Sequence, residues 1–238
     1  MSMERVEMEA AYVLHLRPYR ETSQLLEVLT REHGRVGLVA RGARGPRARW
    51  RGSMQPFQPL HLSWSGRGSL YSLRAAEPAG PPSNLAGQRL MSAWYLNELL
   101  LNFTTRGDPH PELFAHYSAA LSGLRDDTEA ALSLRRFELA LLTEAGYGLN
   151  VATDSEGGEP LDADRSYEYI ADRGAIAASG GGSNALTLTG RQLQAIAAGD
   201  FADAATLSLA KRLFRRILAH HLDGRQLRTR EVFAAMRR

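Results

Sequence analysis

From Ala11 to about Ala76, apolar residues recur at every second position: Tyr12, Leu14 and Leu16, then Val36, Leu38 and Ala40, then Leu60, Leu62 and Trp64. Extended backbone points alternate side chains to opposite faces, so this stretch must bury one face of a sheet. The candidate strands are residues 10–17, 24–30, 35–41, 57–64 and 69–75. Between them lie the turn formers Pro18, Gly34, Gly42 and Gly45 and the tetrapeptide Ser65 to Gly68. Five short strands suffice for a small closed barrel, which leaves no sheet edge exposed.

The alternation stops at Pro78, Gly80, Pro81, Pro82 and Ser83, because adjacent prolines remove backbone donors and force extended chain. A helical period follows. The stretch around Leu90, Trp94, Leu96, Leu99, Leu100 and Phe103 is apolar on most sides, which suits the centre of a bundle. Leu113, Tyr117, Ala120 and Leu124 recur every three or four positions, as do Leu134, Phe137, Leu141 and Ala145 ahead of a C-capping Gly146. Thr189 with Gln192 reads as a capping box. A last long helix is expected from about Ala204 to Leu222, burying Leu207, Ala210, Phe214 and Ile217.

The fold class is therefore α+β: a barrel domain over 1–80 and a mainly helical domain over 81–238. The second is interrupted at 148–188 by a Gly-, Asp- and Ser-rich excursion with short strands at Tyr167 to Ile170 and Ala175 to Ala178. A mobile stretch is expected at Ser179 to Ser183.

The formal charge of +3 hides an uneven distribution. Residues 1–81 carry 12 Arg against 7 acids, residues 82–204 carry 8 Arg against 17, and residues 205–238 carry 9 cations against 2. Two basic ends around an acidic middle point to a polyanionic partner. The chain has no cysteine, so disulfides, thiolate metal sites and cysteine nucleophiles are excluded. Met1 to Ala11 mixes acids with apolar residues, and no stretch approaches the roughly 20 apolar residues of a spanning helix. A cytoplasmic protein with no membrane partner is expected.

The densest cluster is Arg31, Arg35, Arg41, Arg44, Arg47, Arg49 and Arg51, interrupted only by the acid Glu32. Guanidinium groups in a Gly- and Pro-punctuated loop can follow a phosphate backbone and release its counterions. Trp50 either stacks on an unpaired base or folds onto the barrel. On the last long helix, Lys211, Arg212, Arg215 and Arg216 form a basic stripe. It suits a polyanion, and equally the negative end of a helix dipole. Arg135 and Arg136 interrupt an apolar helix, either lining a groove for an acidic peptide or pairing with acids such as Glu138 or Glu144.

Other constellations point away from catalysis. His220 and His221 are adjacent on a helix, about 100° apart, and are not expected to share a metal. Asp154, Glu156, Glu159, Asp162 and Asp164 lack the spacing of a calcium loop. No phosphate-binding loop, nucleophile elbow or His-Glu-x-x-His occurs. No enzymatic activity and no cofactor or metal are expected.

Several strings, taken in order, resemble the RecO family of bacterial DNA repair proteins, which are recombination mediators. They are Arg17-Pro18-Tyr19-Arg20-Glu21-Thr22-Ser23, the run from His33 to Arg44, Gln55-Pro56-Phe57-Gln58-Pro59-Leu60 and Tyr95-Leu96-Asn97-Glu98-Leu99-Leu100. Pro111-Glu112-Leu113-Phe114, Leu134-Arg135-Arg136-Phe137-Glu138-Leu139 with Gly146-Tyr147-Gly148, Thr189 to Leu193 and Leu227 to Phe233 carry the likeness nearly to the C-terminus.

The resemblance implies an N-terminal OB-fold, a helical C-terminal domain and a role in the RecF pathway without nucleotide hydrolysis. It also implies binding of single- and double-stranded DNA, annealing of complementary strands, and partnership with RecR and with the acidic C-terminal tail of the single-strand binding protein SSB, helping to load RecA. On this reading Arg35, Arg41, Arg44, Arg47, Arg49, Trp50 and Arg51 contact DNA, while Arg135, Arg136, Lys211, Arg212 and Arg215 hold the SSB tail, in a nucleoid-associated protein. Many members carry four zinc-binding cysteines in the excursion, and this sequence has none. The alternatives are a metal-dependent nuclease using the acidic excursion, or a scaffold for proteins alone.

Overall fold

The computed structural model describes residues 3–44, 50, 52–178 and 186–236. It divides into two compact units, 1–125 and 126–238.

The first unit is built on strands β1 (Glu4–Tyr19), β2 (Ser23–Thr30), β3 (Arg35–Ala40), β4 (Leu60–Gly66) and β5 (Tyr71–Pro78). They close into a barrel in the order β1-β2-β3-β5-β4, with β4 returning to β1. Every pairing is antiparallel except β3 with β5. β1 is long enough to serve two neighbours: Glu4 to Ala11 pair with β4, and Ala11 to Tyr19 pair with β2. The register shifts between Val6 and Glu9 and again between Val13 and His15. Such bulges bend a strand enough to turn a barrel corner, and Met8 at the first has a positive φ of 53°.

The alternating residues meet as expected inside the barrel, where Val13, Leu26, Val28, Val36, Leu38, Leu60, Leu62, Trp64 and Leu73 form one cluster. Tyr12 and Leu14 point the other way and are buried too, under helices α1 (Gly87–Phe103) and α2 (Pro111–Gly123). Asn97 Nδ2 donates to the Leu14 carbonyl at 2.8 Å, Tyr117 Oη donates to Asn97 Oδ1 at 2.5 Å, and the Tyr12 ring lies 5.1 Å from that of Tyr117. The β2–β3 turn is clasped by the segment after α1. Gly107 N–H donates to the Arg35 carbonyl at 3.0 Å, and a Cβ at Gly34 (φ 65°) would stand 2.1 Å from the Asp108 carbonyl oxygen. Only glycine fits there.

The second unit comprises α3 (Ala130–Glu144), a small antiparallel sheet, and helices α4 (Gly190–Ala197), α5 (Ala204–His221) and α6 (Arg228–Met236). The sheet holds β6 (Ser166–Ile170), β7 (Gly174–Ala177) and β8 (Thr187–Thr189), with β6 in the middle. α3 ends as foreseen at Gly146: Gly146 N–H donates to Thr143 and Tyr147 N–H to Leu142, the paired bonds of a Schellman motif. The Thr189–Gln192 capping box is present. Asp203 caps α5, and Phe137, Leu141, Leu193, Phe214 and Ile217 are buried in this unit. Within the excursion Asp154 turns inward, and its Oδ1 accepts the N–H groups of Glu156 and Gly157. Those bonds, foremost that from Glu156, lower its pKa. The expected mobile stretch at Ser179 to Ser183 lies outside the described residues.

The Pro78–Ser83 break marks the change from strands to helices. The compact first unit nevertheless continues through α1 and α2, because the outer face of β1 needs their cover.

Candidate nucleic-acid interface

The register of four strands sets Arg17, Leu25, Val39 and Ser72 in one row across the outside of the barrel. Beyond that row the surface sinks into a groove of about 760 Å³. Its walls are the β1–β2 turn (Arg20 to Thr22), the end of β3 with Arg41, and Leu70 and Tyr71 at the start of β5. Arg20 has a positive φ of 53° in the turn, and its guanidinium carbon lies 5.3 Å from the centre of the Tyr19 ring. The chain after β3 is fastened to the same turn: Arg44 N–H donates to the Thr22 carbonyl at 3.0 Å, and Arg44 Nη1 donates to the Arg20 carbonyl at 3.2 Å. Arg17, Arg20, Arg41 and Arg44 are exposed, and none forms an ion pair among the described residues. Tyr71 Oη donates to Glu4 Oε2 at 2.7 Å. That bond, followed by burial and the carboxylate's charge, raises the pKa of the phenol.

Two members of the predicted DNA-binding set stand elsewhere. Arg35 is a clamp: Nη1 donates to the Leu101 carbonyl at 2.6 Å, and Nε lies 3.9 Å from Glu27 Oε2. Arg106 pairs with the same Glu27 carboxylate. Burial lowers the pKa of Arg35 most, Glu27 opposes that, and Arg106 adds to it. A guanidinium so engaged is not available to phosphate. Trp50 is only 7% exposed and belongs to the barrel's apolar cluster, with Nε1 donating to the Arg41 carbonyl at 3.1 Å. The base-stacking role expected of it is therefore corrected, since its ring is interior. Arg47, Arg49 and Arg51 lie outside the described residues. Of the expected set, Arg41 lines the groove and Arg44 is tied to its turn; Arg20 in the lining and Arg17 on the adjoining row are further exposed cations, outside the charge count over residues 31–51. The string from Arg17 to Ser23 was their signal, because a Pro- and Thr-bearing turn between two alternating runs places its cations at a barrel mouth.

In the second unit Lys211, Arg212 and Arg215 are exposed along α5, without ion pairs among the described residues. Arg136 on α3 is exposed as well. Arg135 is not. It is 6% exposed, and Nη2 donates to Glu138 Oε1 at 2.7 Å, so the pairing alternative holds for this residue. The excursion's acids serve local structure: Glu156 pairs with Arg173 at 3.0 Å, Asp164 with Arg191 at 2.9 Å, and Asp162 Oδ1 accepts the N–H of Asp164.

The Recombination protein O N terminal model matches residues 3–82, and the Recombination protein O C terminal model matches residues 85–231. The DNA repair protein RecO of Azoarcus sp. strain BH72 is 43% identical over 232 residues, covering 96% of each chain. That of Methylococcus capsulatus strain Bath is 45% identical over 229 residues, covering 96% of this chain and 93% of the relative. This chain belongs to the RecO family. As a RecO-family protein it has a role in DNA repair and recombination, and its barrel is the family's OB-fold. In OB-folds the β2–β3 face and the loops after strands 1 and 4 take up oligonucleotides, and those loops wall the groove described above. No helix among the described residues is long and apolar enough to cross a membrane. The chain has no cysteine to supply a thiolate ligand.

Proposed function

We propose that this RecO-family chain is a recombination mediator that binds single- and double-stranded DNA, anneals complementary strands, and acts with RecR and SSB to help load RecA, without catalysis or nucleotide hydrolysis. The observation that carries the reading is the groove at the barrel mouth, lined by Arg20 and Arg41 together with the single acid Glu21, with Arg44 fastened to the same turn and Arg17 exposed on the adjoining row; none of the four guanidinium groups forms an ion pair among the described residues. Cations free of acids release counterions when they meet phosphates, which supplies affinity without sequence preference. Arg47, Arg49 and Arg51 extend the same basic segment in sequence. Lys211, Arg212 and Arg215, with Arg136, offer a second basic surface for the SSB tail. Screening of phosphate charge lowers the repulsion between two strands as they pair, so annealing needs no fuel. The place of action is the cytoplasm, at the nucleoid.

A salt series on single-stranded oligonucleotide tests the groove. Replacing Arg20, Arg41 and Arg44 by Ala should flatten the slope of log affinity against log salt by about 0.7 per lost phosphate contact. The same substitution at Arg35 should leave the slope alone. Equal slopes in the triple variant and the parent protein would remove the groove from the site. Lys211→Ala with Arg215→Ala should weaken an acidic SSB-tail peptide while sparing naked DNA.

A further inference from the structure

Asp172 lies at the tip of the β6–β7 hairpin in the left-handed region, with φ 66°. Its carboxylate meets the last turn of α5, where His220 and His221 stand. His220 Nε2 is 2.5 Å from Asp172 Oδ2, and His221 Nε2 is 3.7 Å from Asp172 Oδ1. Each oxygen of one carboxylate thus faces one imidazole, and the three ligand atoms all lie within 4.8 Å of one another. Adjacency on a helix was expected to keep the two rings from a common ligand. The hairpin overcomes it by bringing the carboxylate between them, the ring planes standing 85° apart.

We propose that Asp172, His220 and His221 bind one divalent transition-metal ion of the zinc type. Zinc takes imidazole nitrogen and carboxylate oxygen at about 2.0 to 2.2 Å, so tetrahedral ligand atoms stand roughly 3.2 to 3.6 Å apart. The two contacts, each to its own carboxylate oxygen, lie on either side of that range, and rotation of the side chains would bring the ligand atoms to it. One ligand is already held in place: the His221 ring stacks on Tyr147 with centres 3.7 Å apart and planes 15° apart, and its side chain is 9% exposed. Asp172 and His221 line a pocket of about 370 Å³ together with Tyr147, Asn150 and Tyr169, which leaves space for water beside them. Arg173 also lines this pocket, and its charge is drawn to Glu156 at 3.0 Å. A cation at the end of α5 also faces the negative pole of the helix dipole. The bound ion joins the hairpin of the cysteine-free excursion to the helix that carries the basic stripe.

The test uses the full chain after chelator treatment and dialysis, titrated with Zn²⁺, with Mg²⁺ as the control for a hard cation. One Zn²⁺ per chain should bind and raise the melting temperature, and Co²⁺ should give the visible d–d bands of a nitrogen- and oxygen-ligated ion. His220→Ala and Asp172→Asn, both at exposed positions, should each weaken Zn²⁺ by about tenfold or more, with unchanged far-ultraviolet circular dichroism. His116→Ala, on the exposed face of α2, should not. No uptake of Zn²⁺, or uptake equal in the parent protein and both variants and therefore an adventitious ion only, overturns the proposal.

Discussion

Arg135 and Glu138 form an ion pair that the solvent scarcely reaches, the two side chains being 7% and 4% exposed. Arg135→Ala removes the cation that donates to this buried carboxylate, and removing one partner of a buried pair costs about 3 to 5 kcal/mol. Urea unfolding should show that loss, while the combined change Arg135→Met with Glu138→Leu should recover most of it. Below the unfolding transition, DNA binding by Arg135→Ala should match the parent protein. Arg35 and Trp50 make the same point about legibility. A run of cations is visible in the sequence, but whether each is free depends on partners far along the chain: Leu101 holds Arg35, and the barrel interior holds Trp50. Arg41 and Arg44 were legible as free cations because no acid is close to them in sequence, and neither forms an ion pair among the described residues, although Glu21 lines the same groove. Asp172 was invisible as a partner for His220 because 48 positions separate them.

Among the elements, strands were read more accurately in type than in extent. β2 and β3 fall within a residue of expectation, whereas β1 begins at Glu4 instead of residue 10. Its first half also alternates, with Val6, Met8 and Ala10 set between Arg5, Glu7 and Glu9, so the period of two does extend to the true start of the strand. β8 went unseen because three residues are too short for any period. Caps were plain, since their chemistry is local, and Asp203 at the start of α5 supplies a pH test. Its carboxylate accepts from Thr206 N–H at 2.8 Å, and that bond above all lowers its pKa. A lowered folded-state pKa means that the ionised cap stabilises above the ordinary carboxylate range, and that this contribution is lost as pH falls through the folded value. Asp203→Asn keeps an accepting oxygen but cannot ionise. The melting-temperature advantage of the parent protein over this variant should be present at pH 7, begin to shrink as pH falls to about 4, the ordinary carboxylate value, and disappear only at lower pH, once the folded-state carboxyl is protonated.

At the scale of the molecule, the junction of the two family matches lies between residues 82 and 85, beside the Pro78 to Ser83 segment. It does not coincide with the limit of packing, which comes after Arg125. The apolar run from Ala10 to Leu14 carries the reason, because consecutive apolar residues in a strand require cover on both faces. A chain ending at Arg125 should therefore unfold cooperatively, as followed by circular dichroism. One ending at Gly80 exposes Tyr12 and Leu14 and should aggregate or melt without a transition. β1 carries a consequence of another kind. Its pairing with β2 is completed within a few residues of chain, but Glu4 waits for Gly66, a delay of about sixty residues. As the nascent polypeptide leaves the ribosome, the leading half of that strand emerges long before its mate and presents an open edge. The three acids and one arginine along it are then the charges that discourage neighbouring chains on a polysome from annealing to it.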